Sequence, residues 1–463
     1  MDLDLTAAQV QALAPDASSA VTAKKIAKAA LWKSLGASPD ALWGEFQGSA
    51  LYQTQVARLD WSMRCSCPSR KLPCKHALGL LMIAAQSPGA LPATSEPEWV
   101  RSWLERRAAA QTRKETRKNS EPKPVDAATQ AKRAEGQAKR AEKRQDNILG
   151  GLDQLDAWLN DLVRQGLARI QGESFVFWDE QARRLVDAQA SGLASRVRQI
   201  SYRVGAGENW AARVLDDLGL LALLSHAYRR VNELDAPLAA DVRRLVGLNL
   251  DQDDVLEHAD LTRDTWAVLA ERSEEDERLR TQRAWLRGKN SARTALLLQF
   301  APAGSRFAES LSVGTEFAAE LAFWPSAFPQ RALIAQRLGL ATPAEAPRGQ
   351  SVTRCLDAFS LNVSRLPWLE RDLFVLEKVI PTQSVVPHQS GEQASSVPNT
   401  SSERYVVVDL EQRAIPLVGS RHDILLALSG GHPLLLIGEW NGYTLNPLVA
   451  WSEGRCHNLQ VPE

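Results

Sequence analysis

The residues of this chain with the clearest potential for chemistry lie in one short stretch: Cys65, Cys67, Cys74 and His76. Zinc takes four sulfur or nitrogen ligands in a tetrahedron. Side chains two residues apart on an extended chain leave the same face, so the stretch holds two ligand pairs. Between the pairs, Pro68 and Pro73 can turn the chain back so that both pairs reach one ion. The alternative is three unligated thiols beside an unrelated histidine.

Four protein ligands leave no open coordination position, so the sequence predicts one structural Zn²⁺ rather than a catalytic metal. We expect no catalytic residues and no organic cofactor, because the sequence contains no phosphate-binding loop, HExxH motif or nucleophile elbow. Cys456 and His457 are adjacent on an expected strand and therefore face opposite sides. Cys355 is expected to be a buried thiol. The chain is not expected to be an enzyme, although an enzyme in the C-terminal half stays an alternative.

Basic residues surround the predicted metal ligands, and four are candidate nucleic-acid contacts: Arg64, Arg70, Lys71 and Lys75. Cations that neutralise phosphates release counterions and give nucleic-acid binding its dependence on salt. A second interpretation is open, because one Zn²⁺ and three thiolates sum to a charge of −1. Nearby cations could then stabilise the metal site itself.

The composition limits the class of protein. At roughly 100–200 residues per domain, 463 residues favour several domains. The fractions of hydrophobic (44%) and charged (24%) residues exclude disordered, collagen-like and membrane-spanning chains. The first residues, MDLDLT, resemble no secretory leader. Three of the five cysteines are clustered, unlike a disulfide framework, so we expect a cytoplasmic protein without a membrane partner.

The charge is balanced in total but uneven along the chain. Lysine and arginine number 55, as do aspartate and glutamate. Residues 101–147 contain fourteen basic against seven acidic residues, whereas residues 148–463 contain thirty-two against forty. Within the basic segment, AKRAE occurs at residues 131–135 and again at 138–142. This segment is either a solvated helical linker or a basic arm for nucleic acid or a partner helix.

Local patterns predict the elements that would position the four ligands. Residues 20–35 and 75–85 have the apolar spacing of helices. Residues 52–59 and 61–65 alternate as two short strands do. We therefore expect an N-terminal ββα zinc finger within residues 1–90.

The fold class expected for the whole chain is α+β and multidomain, with a helical middle and a mixed α+β C-terminal part. The predicted divisions after the finger are a basic, partly helical linker (91–147), a helical domain of about five helices (148–260), an α+β domain (261–380), a flexible Ser/Pro-rich loop (381–403) and a small β-rich part (404–463). The α+β domain is expected to end in a helix over residues 352–379, broken near Pro367. Asn441-Gly442 predicts a hairpin turn between two strands of the tail.

The ligand stretch resembles the signature of the SWIM zinc finger, which is Cys-x-Cys, a spacer and Cys-x-His. Here it reads Cys65-x-Cys67 and Cys74-x-His76, followed by an apolar helix. Residues 43–49, and less specifically residues 285–315, are also similar to bacterial members. The resemblance implies a zinc-bound ββα module that binds DNA or other proteins. It also implies that a MoxR-type AAA+ ATPase and a von Willebrand factor A protein accompany this protein.

Two binding functions follow from these patterns. The first is a zinc-dependent, non-enzymatic module for nucleic acid, DNA above all, or for protein, and the basic finger and arm support it. The alternative is a protein-assembly adaptor that works with the AAA+ ATPase and the von Willebrand factor A protein without binding nucleic acid. The helical middle and the fourteen tryptophans favour this alternative.

Overall fold

The computed structural model describes residues 10–11, 13–14, 17–58, 62–69, 73–119, 127–206, 209–275, 279–302, 307–309, 311–385 and 403–460. These residues form a four-stranded sheet, a helical region and two six-stranded sheets, in that order along the chain. The predicted α+β class is confirmed. Among the described residues, no helix combines the length and the apolarity needed to cross a bilayer.

The N-terminal unit is a four-stranded antiparallel sheet with a helix before it and a helix after it. Its elements are α1 (Ala17–Ile26), β1 (Trp32–Ala37), β2 (Ala41–Gln47), β3 (Leu51–Ala57), β4 (Met63–Cys65) and α2 (Lys75–Gln86). The sheet order is β1-β2-β3-β4. The two expected strands correspond to β3 and β4, and two further strands precede them.

The helix expected over residues 20–35 is wrong in its second half. Helix α1 ends at Ile26, and Trp32–Ala37 pairs with β2 instead. Two glycines explain the strand, because the Trp43 ring covers Gly36 and the Trp32 ring covers Gly44. A side chain at either glycine would displace an indole, so ring packing across the sheet overrides the helical pattern.

Helix α2 lies inside the N-terminal unit. Every residue from His76 to Ala84 is buried, and Leu78, Leu80 and Leu81 have no exposed surface. The helix packs closely against α1, since a Cβ at Gly79 would lie 2.9 Å from Cγ1 of Ile26. The core of the first unit is therefore built around α2.

The helical region follows the N-terminal unit. Its helices are α3 (Glu98–Asn119), α4 (Ala127–Gln165), α5 (Leu167–Ile170), α6 (Phe175–Asp187), α7 (Ser191–Ser201), α8 (Trp210–Arg229), α9 (Ala236–Val246) and α10 (Gln252–His258). Six of them, α4 to α9, contribute buried residues to one apolar core, where about five helices were expected. Helix α4 runs through both copies of the AKRAE repeat and on into this core. The predicted boundary between residues 147 and 148 thus falls inside one helix.

The first six-stranded sheet contains β5 (Leu261–Glu275), β6 (Leu279–Gly288), β7 (Thr294–Pro302), β8 (Thr315–Phe323), β9 (Arg331–Arg337) and β10 (Thr342–Pro343). Strand β9 pairs with both β7 and β8, so the sheet closes on itself.

The second six-stranded sheet and its helices complete the chain: α11 (Val352–Arg365), β11 (Asp372–Val385), β12 (Glu403–Val408), β13 (Ala414–Pro416), α12 (His422–Ser429), β14 (Leu434–Trp440), β15 (Leu445–Ser452) and β16 (Arg455–Asn458). The expected hairpin turn is present between β14 and β15. Gly442 has φ +93, and Oδ1 of Asn441 accepts from the backbone N–H groups of Tyr443 and Thr444.

Two expectations for this region are corrected. The helix predicted over residues 352–379 ends at Arg365, and Asp372–Val385 forms a central strand between β12 and β14. The loop predicted over residues 381–403 begins too early, because β11 continues to Val385; residues 386–402 lie outside the described residues. Strand β11 is extended because it pairs with a strand on each side. The local periodicity of the sequence contains no information on such pairing.

The helical region is attached to the C-terminal sheets by buried polar contacts. Asp241 of α9 is fully buried and accepts hydrogen bonds from the Ser326 hydroxyl and the Ala327 N–H, both 2.8 Å. The Trp368 indole lies in the bundle core and donates to the carbonyl oxygen of Leu220 (2.9 Å). These contacts fix the bundle against the sheets, because breaking them leaves buried polar groups unpaired.

The close contact between α7 and α9 predicts a difference between two glycines. Gly192→Ala should lower the free energy of unfolding by roughly 1–3 kcal/mol, because its Cβ would overlap the carbonyl oxygen of Leu245. Gly219→Ala in α8 is the control, since no atom lies within 4 Å of its Cβ position. This control should raise the free energy of unfolding by about 0.5–1 kcal/mol. Urea denaturation followed by circular dichroism measures both, and equal destabilisation would contradict the packing.

Candidate metal centre

The four predicted metal ligands meet where the sheet of the N-terminal unit joins α2. Cys65 ends β4, Cys67 follows it, and Cys74 is the N-cap residue of α2. His76 lies in the first turn of that helix. All four side chains are buried. The strand end and the helix start thus each supply one pair, as the spacing predicts.

The distances among these side chains fit a tetrahedral ion. The four ligand atoms all lie within 4.8 Å of one another. The Sγ atom of Cys65 is 3.7 Å from Nδ1 of His76. Zinc bonds of about 2.3 Å to sulfur and about 2.0–2.1 Å to nitrogen place two tetrahedral ligands about 3.6 Å apart. The cluster therefore has the size of a zinc site.

The imidazole of His76 is oriented by aromatic packing. Its ring packs against both Phe46 (5.1 Å between centroids) and Tyr52 (5.0 Å). Its Nδ1 atom faces Cys65, while Nε2 is buried and has no hydrogen-bond partner among the described residues. Metal-bound histidines usually donate their second N–H to an oxygen. Here the two rings fix the imidazole instead.

Hydrogen bonds from the protein stabilise negative charge on two of the sulfurs. The Thr54 hydroxyl donates to Sγ of Cys65 (3.1 Å), and Thr54 is fully buried. The backbone N–H of Ala77 donates to Sγ of Cys74 (3.5 Å) at the N-terminus of α2. The helix dipole favours an anion at that position. Both contacts favour the thiolate form that zinc binds.

The thiols perturb one another because they are buried together. Hydrogen bonds with Cys65 and Cys74 lower the pKa of Cys67, whereas hydrogen bonds with Cys65 and Cys67 raise the pKa of Cys74. Burial opposes the charged form of His76, but the sulfurs of Cys65 and Cys67 raise its pKa to about 9. Three thiolates cannot coexist here without a cation. The donor chemistry therefore fits a divalent metal.

The candidate nucleic-acid contacts are described only in part. Arg64 on β4 and Lys75 at the start of α2 are both exposed. Arg70 and Lys71 lie outside the described residues. The remaining cysteines belong to other clusters of the fold, since Cys355 lies in α11 and Cys456 in β16. Among the described residues, the four ligands are the one group suited to a metal ion.

Sequence reasoning missed the residues that support the ligands. Tyr52 and Thr54 are two apart on β3 and face the cluster together. The alternation of the predicted strand could have identified this face. Phe46 lies on the neighbouring strand β2, directly opposite Tyr52 of β3. Finding it requires the register of β2, which the sequence does not reveal.

Comparison with protein families agrees with this geometry. The SWIM zinc finger matches residues 64–84, and the SWIM-associated four-helix bundle domain matches residues 143–246. The chain therefore contains a SWIM zinc finger and a SWIM-associated four-helix bundle domain. Its finger holds one structural zinc through the Cys₃His cluster. No curated protein and no solved structure matches the chain.

The second family match coincides with the shared helical core. Residues 143–246 begin within α4 and end with α9, so they contain the helices whose apolar faces meet. The chain therefore combines a SWIM zinc finger with a SWIM-associated helical domain.

The ligand assignment predicts the effect of removing one thiol. Cys74→Ser should lower the zinc content to well under one ion per chain, because an alcohol is a poor replacement for a thiolate. The variant should also loosen the N-terminal unit, while the bundle and the C-terminal sheets keep their separate cores. Metal analysis by mass spectrometry measures the loss. Cys456→Ser is the control and should retain full zinc; full zinc in Cys74→Ser would refute the assignment.

Acid should release the zinc. Protons compete with the metal for the same sulfur and nitrogen atoms, and without metal the pKa of His76 is raised to about 9. Below this pKa, His76 carries a proton that zinc must displace. For each proton displaced, the apparent zinc affinity therefore falls about tenfold for every unit by which the pH is lowered. Titration with a competing chelator at several pH values measures this slope. An affinity independent of pH between neutral and acidic conditions would exclude these ligands.

Proposed function

We propose that this SWIM protein binds nucleic acid, duplex DNA in the first instance, through contacts with phosphates rather than with base edges. The observation that carries this proposal is a set of exposed cations on three elements, β4, α2 and α4. Arg64 and Lys75 lie at the edge of the zinc cluster. Arg140, Lys143 and Arg144 lie on one face of α4.

The burial of α2 supports phosphate contacts over base reading. A helix that reads the major groove needs a free face that bears side chains. Helix α2 has no such face, because His76 to Ala84 are buried. Its exposed first residue, Lys75, still presents a cation at the helix N-terminus, where a phosphate is favoured. The finger therefore supplies charge and position, and sequence preference is expected to be weak.

The cations on α4 separate this proposal from its simplest alternative. Cations near the thiolates could serve only to offset the negative charge of the zinc site. Arg140 and Lys143 belong to a different element, apart from the ligands, and are exposed. Neither forms an ion pair with another described residue. Their charge is thus available to an external anion.

Salt-dependent binding tests the proposal. Fluorescence anisotropy with a short labelled duplex should show affinity that falls as salt rises, with a log–log slope of about 0.9 per phosphate contact. The double reversal Arg140→Glu and Lys143→Glu should reduce the slope by about two contacts and leave the zinc content unchanged. The matched control, Arg263→Glu with Arg354→Glu, changes the net charge equally on exposed sites elsewhere. Absence of binding at low salt, or equal loss in the control, would contradict the proposal.

A second candidate function is protein assembly with a MoxR-type AAA+ ATPase and a von Willebrand factor A protein. One observation favours a protein partner: the bundle exposes Phe175 (46%), Val176 (59%) and Tyr202 (74%). The rings of Phe175 and Tyr202 are in contact, 6.0 Å between centroids. Exposed aromatic residues are enriched at protein interfaces. Two results would favour this function. The protein should retain the ATPase or the von Willebrand factor A protein in a pull-down, and Tyr202→Ala should abolish this retention. The unmodified protein should also show no DNA binding.

We also propose that the protein is cytoplasmic and that its role is binding rather than catalysis. None of the five cysteines forms a disulfide, as is usual in a reducing compartment. The four zinc ligands leave no coordination position for a substrate.

A further inference from the structure

The C-terminal half contains a pocket of about 380 Å³ between the β6–β7 turn, α11 and the first residues of β11. Three arginines line it, Arg287, Arg293 and Arg365. We propose that this pocket binds a small molecule through an oxyanion, a carboxylate or a phosphate. The proposal is independent of the zinc site and of nucleic-acid binding, because it uses none of their residues.

Charge in the pocket is not balanced by the protein. Asp372 is the one carboxylate in its lining, against three guanidiniums. The Asp372 oxygens already accept hydrogen bonds from Asn362 Nδ2 (2.8 Å), Gln330 Nε2 (3.0 Å) and the N–H of Leu373 (2.9 Å). No carboxylate of the described chain lies within ion-pair distance of the three arginines. The pocket therefore carries a positive excess that an anion can neutralise.

The pKa of each acidic group in the lining is shifted toward the neutral form. Burial raises the pKa of the Cys355 thiol to about 11, so this thiol is uncharged at neutral pH. Burial also raises the pKa of Asp372 above its usual range. Both shifts follow from poor solvation of negative charge in the apolar wall, and an external anion gains instead from the guanidiniums.

Arg287 is the central donor of the pocket. Its Nε atom is buried and has no hydrogen-bond partner among the described residues. Among the described residues, its Nη1 atom donates only to the carbonyl oxygen of Arg348, at 3.5 Å. Burial lowers the pKa of Arg287, which shows how poorly water solvates this cation. A carboxylate or phosphate can accept two parallel hydrogen bonds from a guanidinium and supply the missing partner.

The rest of the wall fits an organic anion. Arg293 is held in place, since it donates to the Thr262 hydroxyl (2.8 Å) and stacks on the Phe323 ring (3.9 Å). Gln350 adds a polar group to the lining, while Phe328 and Phe374 add apolar surface. Apolar walls with a few fixed polar groups are typical of small-molecule sites.

A larger cleft of about 650 Å³ between the bundle and the second sheet differs in this respect. Three of its four arginines are paired with acids of the same cleft: Arg203 with Asp217, Arg196 with Glu370 and Arg371 with Glu439. These ion pairs neutralise the charge of the three arginines within the protein. Of these two pockets, the smaller one is therefore better suited to an external anion.

Calorimetric titration of the zinc-loaded full-length protein tests the proposal. The probes are inorganic phosphate and succinate, with chloride at equal ionic strength as the reference. At least one probe should bind and raise the Tm above that in chloride. Arg287→Gln should weaken that binding by tenfold or more, whereas Arg354→Gln, on the outer side of α11, should leave it unchanged.

Arg365→Glu is the second variant, because Arg365 is exposed and its replacement leaves the core intact. This variant should also weaken binding of the anion. If Arg287→Gln does not fold, Arg365→Glu alone tests whether the anion binds in this pocket. Binding of phosphate alone or succinate alone supports the proposal and identifies the anion class. No binding of either probe overturns it. Binding that Arg365→Glu and a folded Arg287→Gln both retain places the anion elsewhere and also overturns it.

Discussion

The N-terminal unit depends on one constraint: three thiols and an imidazole are buried within 4.8 Å of each other. Such a cluster cannot carry three negative charges unless a cation is among them. The metal therefore joins the end of β4 to the start of α2 and replaces a larger apolar core. Phe46, Tyr52 and Thr54 support this joint from the neighbouring strands.

The same joint explains why α2 lies inside the unit. Zinc fixes the first turn of the helix, and the apolar residues after it pack against α1 and the sheet. A helix held in this way acts as the core of the finger. The exposed cations lie around it instead, as Lys75 does at its start and Arg140 and Lys143 do on α4. The proposed phosphate contacts follow from this arrangement.

The metal ligands could be predicted from the sequence because their signal is local. Cys65 and Cys67 needed only their spacing, and Asn441-Gly442 needed only its turn preference. The missed elements depend on distant partners. Strand β1 depends on indole rings that cover Gly36 and Gly44, and β11 depends on pairing with β12 and β14. The arginine pocket likewise joins residues from three separate elements, so no local pattern could reveal it.

X-ray absorption spectroscopy of the zinc-loaded protein tests the central claim most directly. It reports the ligand atoms and their distances without mutation. Three sulfur ligands at about 2.3 Å and one nitrogen ligand at about 2.0–2.1 Å are predicted for Cys65, Cys67, Cys74 and His76. A first shell with fewer than three sulfurs, or with an oxygen from water, would contradict a closed structural site.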